Sequence, residues 1–107
     1  MDKAVVDSLD KLKQALLQQG LRVNRVILYG SQAAGRAEEY SDIDVVVISD
    51  DFKGINVLER LETIGLAMAE ARIMEPIEPL AYTEEEFSLK DSGTFIGDEV
   101  KGKGMEV

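Results

Sequence analysis

Residues 29–48 read YGSQAAGRAEEYSDIDVVVI, and this stretch decides how the rest of the chain is read. Its second half leads into Ile43 to Ser49, an apolar segment with three consecutive valines closed by Asp50 and Asp51, which predicts a buried strand. Its first residue ends another branched run, Val26-Ile27-Leu28-Tyr29, so a second strand is expected from Leu21 to Tyr29, running into Gly30. Ser31 to Ala37 lies between the two and predicts a glycine-bounded turn or short helix.

Two features of the stretch carry chemistry. Asp42 and Asp44 are two apart at the entry to a strand, so their side chains point to the same side. Like charges held together need a cation between them, and oxygen donors suit magnesium or manganese. A solvated turn capped by Asp before a buried strand has the same pattern, and the pair alone leaves both readings open. Gly30 and Ser31 follow the first strand directly. Glycine admits close approach of a ligand to the backbone, serine supplies a hydroxyl, and free N–H groups at a helix start favour phosphate. A tight turn is the plain alternative for Gly-Ser by itself, but strand, Gly-Ser, short helix and Asp-x-Asp in succession couple an anion cradle to a metal cradle.

Outward from this centre, Val6, Leu9, Leu12, Leu16 and Leu17 recur at helical spacing and predict an amphipathic helix of about four turns from Val5, stopped by Gly20. Ile55 to Met74 reads as a second long helix, ended by Pro76 and weakened by Gly65. Ile77 to Tyr82 is a third strand, and Pro79 suggests an edge or irregular position for it. Thr83 with Glu86 three residues on is a capping-box pattern opening a short helix through Lys90. Beyond Asp91, Gly93, Gly97, Gly102 and Gly104 predict a loop-rich tail with one short helical or extended piece. The fold class expected is α/β (α+β): one domain over residues 1–107, in two layers, a small mixed sheet with helices packed on one face.

Composition narrows the chemistry. Twelve Lys and Arg against 21 Asp and Glu leave a formal charge of −9, which argues against broad nucleic-acid binding. The chain has neither His nor Cys, so the usual zinc sites, thiol chemistry, disulfides and Ser-His-Asp hydrolysis are excluded for it acting alone. Apolar runs such as Val45 to Ile48 are far too short for a membrane span, and no targeting signal is visible, so the cytoplasm is the expected location.

With Tyr29-Gly30-Ser31, a ten-residue spacer, and Asp42-Ile43-Asp44-Val45, the chain resembles the minimal nucleotidyltransferases of the DNA polymerase beta superfamily. That resemblance implies that Asp42 and Asp44 hold magnesium or manganese against a nucleoside triphosphate, with ATP the first choice. It implies that Gly30 and Ser31 meet the outer phosphates. A third carboxylate on a later strand completes such sites; Glu78 is the positional match and Glu75 a competitor. Many relatives carry arginines in the Gly-Ser turn where this chain has Gln32 and Ala34, and Arg36 is the residue left to replace them. Lys101 and Lys103 read as solubilising charges rather than phosphate contacts.

The reaction implied is attack of an acceptor hydroxyl on the α-phosphorus, with pyrophosphate leaving. The acceptor surface is expected from a second copy or from a separate helical protein of the HEPN type, in an antitoxin role. Two other classes stay open on the sequence: a module of this fold that neutralises a partner by contact, and an acidic divalent-cation binder.

Overall fold

The computed structural model describes residues 3–35, 42–90 and 93–107. In the first helix, α1 (Lys3–Gln18), Val5, Leu9, Leu12 and Leu16 are buried with Ser8 and Ala15, which is the expected stripe shifted by one residue at its start. Leu17 lies off that stripe and is exposed. Gly20 ends the helix as expected: its N–H bonds to the Leu17 carbonyl, and the N–H of Leu21 reaches back to Leu16.

The strands are β1 (Arg25–Tyr29), β2 (Ile43–Ile48), β3 (Ile77–Tyr82) and β4 (Met105–Glu106), in the order β3-β2-β1-β4. β1 pairs antiparallel with β2 and β4, while β2 and β3 run parallel, so the sheet is mixed as expected. Pro79 sits on the edge strand β3, where a missing N–H is tolerated. β1 is shorter than the expected 21–29, because Leu21 closes α1 and Asn24 turns toward the Asp50 carboxylate.

The second long helix, α2, is Val57–Glu70, capped by the Asn56 side chain on the N–H of Glu59. Its end corrects the sequence reading. The helix stops six residues before Pro76, because Arg72 takes a positive φ of 54° and the Ile73 N–H bonds back to the Met68 carbonyl. That is a glycine-type helix ending built on arginine, which no residue pattern announces.

Alternation along the strands sorts the core into two halves. Val26, Leu28, Val45, Val47 and Ala81 face the two long helices. Ile27, Tyr29, Val46 and Ile48 face the opposite side, where they meet Phe87, Ile96 and Val100. The long helices therefore share one face, and the second face is covered by the shorter α3 (Glu84–Ser88) and a π-helical turn, Ile96–Lys101. Thr83 and Glu86 form the expected capping box in full.

The tail holds more structure than the glycines suggest. It forms both the π-helical turn and β4, and Gly104 is what lets it pass so close. A Cβ there would lie 2.5 Å from the Val100 carbonyl oxygen and 2.7 Å from the Ile27 side chain. Among the described residues no helix is long and apolar enough to cross a membrane.

One tie across the layers has no local sequence signal. Arg60 is buried on α2 and bonds Glu86 through both terminal nitrogens, the carbonyls of Ile55 and Ala81, and the face of Phe52. It joins α2, β3 and α3 in one network.

Candidate active site

The motif residues collect at the end of the sheet where β1 leaves and β2 and β3 enter. In the ladders Tyr29 pairs with Asp44, and Asp44 pairs with Glu78. Register partners share a face, so these three side chains form one row across three strands, on the side away from the long helices. Asp42 stands two residues before Asp44 and returns to the same side.

The electrostatics report the crowding. Glu78 has its carboxyl pushed above the ordinary value, first by the charge of Asp42, then by burial and by a hydrogen bond shared with Asp42. Asp44 is raised as well, by burial first and by Asp42 second. The Tyr29 hydroxyl is pushed up to about 12, mainly by burial and then by Asp44, Tyr82 and Glu78. It therefore stays protonated at neutral pH, a potential donor beside a carboxylate row.

Gly30 joins the turn to the row. Its φ is 74°, and a Cβ on it would lie 2.5 Å from the Asp44 Oδ2 atom. Only glycine permits both the left-handed backbone and the close seat of the carboxylate. The segment after it is a turn rather than a helix: the Ala34 N–H bonds the Gly30 carbonyl and Gly35 has a φ of 70°. Over the described residues 31–35 the expectation of a turn or short helix resolves to a turn. Ser31 is half-buried at its start. Arg36 and Ala37 lie outside the described residues.

Glu75 takes no part in the row. Its carboxyl is held below the ordinary value by backbone hydrogen bonds, by Ser8 and by Lys11, so it faces α1 while Glu78 faces the carboxylates. Lys101 and Lys103 are engaged elsewhere: Lys101 donates to the carbonyls of Ser88 and Lys90 and lies over the Phe87 ring, and Lys103 pairs with Glu99. A cavity of about 390 Å³ opens on the same sheet face near the start of β1, lined by Arg25, Phe87, Lys101 and Glu106. Its cations are already paired, Arg25 with Glu84 at 2.8 Å, so it offers no free anion seat.

Among the described residues no three acidic side chains converge closely enough to hold a metal ion. The donor chemistry nonetheless suits a hard cation. The donors are oxygens only, and the charge of Asp42 is the first cause of the raised Glu78 carboxyl and, after burial, a cause of the raised Asp44 carboxyl, so a cation among them would relieve repulsion. Asp42 and Asp44 would hold such an ion with Glu78 beside them.

Two aromatic residues at the site carry no signal in the sequence reading. Tyr29 enters it only as the apolar residue before Gly-Ser. Phe95, at the start of the π-helical turn, meets Tyr29 edge to face with ring centroids 5.8 Å apart and planes at 76°, and it is 58% exposed. Only the packing of the tail back onto β1 brings it here.

Comparison with known proteins places the arrangement. The family model of the nucleotidyltransferase domain matches residues 9–103. Among curated proteins none matches the chain in sequence. The fold is similar to the crystal structure of a candidate nucleotidyltransferase from Sulfolobus solfataricus, with a TM-score of 0.57 and 20% identity over 99% of this chain and 87% of that one. It is also similar to a toxin-antitoxin structure with AMP-PNP, at a TM-score of 0.60 and 15% identity over 91% of this chain and 69% of that one. BolA1 from Arabidopsis thaliana gives a TM-score of 0.53 at 15% identity, covering 80% of this chain and 98% of that one. At these identities the likenesses speak for the fold alone.

Proposed function

The chain belongs to the nucleotidyltransferase domain family, and from that premise we propose that it moves a nucleoside monophosphate, AMP in the first instance, from a nucleoside triphosphate to an acceptor hydroxyl. The observation that carries this reading is the row of Asp44 and Glu78 with Asp42 beside it, seated directly on the Gly30-Ser31 turn.

Asp42 and Asp44 orient the triphosphate through the divalent cation they would hold, Gly30 leaves room for its phosphates at the backbone, and Ser31 offers them a hydroxyl. Arg36 is the nearest cation by sequence for the same anion. Magnesium or manganese, when bound, supplies the positive charge that spreads the phosphates' negative charge. The acceptor oxygen forms its bond to the α-phosphorus as the bond to the bridging oxygen breaks, and pyrophosphate departs with that electron pair. The acceptor's proton passes to Glu78, whose carboxyl is made more basic by its acidic neighbours.

The acceptor is proposed to lie on a separate helical protein of the HEPN type, the chain acting as its antitoxin. A charge of −9 works against a second copy of the same chain in that place. The toxin-antitoxin structure of similar fold is a supporting parallel. A second reading, neutralisation by contact without transfer, is favoured by the lack of three converged acids among the described residues.

Transfer of label from α-labelled triphosphate to a co-purified partner decides between them. Glu78→Gln should keep nucleotide binding and lower transfer by roughly 10²–10⁴-fold. Equal transfer by the variant and the parent would remove Glu78 from the chemistry, and no transfer by the parent would favour the contact reading.

A further inference from the structure

We infer that Phe95 is the surface on which the base of the bound nucleotide stacks, an inference that rests on the nucleotide reading of the carboxylate site and assigns to it a residue that the motif does not contain. Ile96, Val100 and Phe87 on the same face of the sheet are buried, whereas Phe95 is 58% exposed. Its contact with Tyr29 is edge to face, at 5.8 Å and 76°. Such a contact occupies at most one face of the Phe95 ring, so another is open to a planar ligand. Tyr29 is the strand partner of Asp44, which places Phe95 one side chain away from the carboxylate row.

The chemistry of the ligand fits this position. The phosphates of a nucleotide require the carboxylate end of the site and a cation, and they bring nothing that an acidic surface would attract without one. The base is the uncharged, flat part and gains most from an aromatic face set beside the phosphate seat. Stacking tolerates every base, so recognition through Phe95 favours the larger purine ring over pyrimidines without separating adenine from guanine.

Calorimetric titration of the full chain with two probes, ATP with magnesium and inorganic triphosphate with magnesium, tests this. Phe95→Ala should weaken ATP by about 5- to 150-fold and leave inorganic triphosphate unchanged. Phe95→Leu should stay weak, and Phe95→Trp should bind ATP at least as tightly as the parent. The chain has no tryptophan, so the Trp variant carries a single indole whose emission a stacked base should quench. ATP affinity unchanged in the Ala variant, full recovery in the Leu variant, or equal weakening of both probes would overturn the stacking role while leaving the nucleotide site standing. Failure of the parent to bind either probe would overturn the nucleotide reading and the stacking role together.

Discussion

Replacing Glu86 with Gln should destabilise the protein at neutral pH and leave it indistinguishable from the parent only well below pH 2. Arg60 is buried, and both of its terminal nitrogens bond the Glu86 carboxylate, which also accepts the Thr83 N–H at 2.9 Å. The Arg60 guanidinium holds the Glu86 carboxyl well down, from its ordinary 4.5 to about 2. A depressed carboxyl stabilises the fold above its unfolded value, and that contribution is lost as pH falls through the folded value. The interval corresponds to about 3 kcal/mol if nothing screens it. The Glu86 side chain is 42% exposed, so solvent reduces the figure to roughly 1–2 kcal/mol. Gln keeps the shape and one acceptor but not the charge. Urea unfolding followed by circular dichroism at steps from pH 7 to pH 2 should show a gap of that size at neutral pH, with a midpoint shift of roughly 0.5–1 M. The gap should narrow from about pH 4.5 downward and close only below about pH 2. A gap independent of pH would show that packing, not the ion pair, holds Glu86 in place.

Other expectations follow from single positions. Gly65→Ala should raise stability by about 1 kcal/mol and the melting temperature by roughly 4–8 °C, since Gly65 lies within α2 and no atom stands within 4 Å of its Cβ position; calorimetric scanning measures it. Gly30→Ala should destabilise by about 1–2 kcal/mol for its left-handed backbone and, by displacing the Asp44 carboxylate, abolish nucleotide-dependent stabilisation; normal unfolding and normal binding would refute the account of the turn.

Much of the fold was legible because its signals are local. The branched run Val45 to Ile48, the apolar spacing of α1 and the Thr83–Glu86 capping box each act within a few residues, and each appears where the pattern puts it. The end of α2 was not legible, because Arg72 adopts a conformation that its residue type disfavours and that the packing of Ile73 imposes. Arg60 reads as an ordinary surface charge until β3 and α3 bring Ala81 and Glu86 to it. At the site, the Gly-Ser and Asp-x-Asp spacing located the turn and the carboxylates. Resemblance alone favours Glu78 over Glu75 in the sequence; the physical reason, the parallel register that pairs Glu78 with Asp44, is a long-range property absent from either strand alone. Tyr29 needed the antiparallel register of β1 with β2, and Phe95 needed the tail folded back over β1, which is further still from any local rule.

The most direct test of the account is nucleotide-dependent stabilisation of the parent chain and of the Asp42→Asn, Asp44→Asn double variant, measured by thermal unfolding with magnesium and ATP. At 100 times the dissociation constant the parent should gain about 2.7 kcal/mol, roughly 10 °C or more in melting temperature. The double variant should gain nothing while being at least as stable as the parent without ligand, because repulsion within the carboxylate row is relieved. No gain for the parent with any nucleoside triphosphate, or an equal gain for the double variant, would contradict the assignment of the row as a nucleotide site.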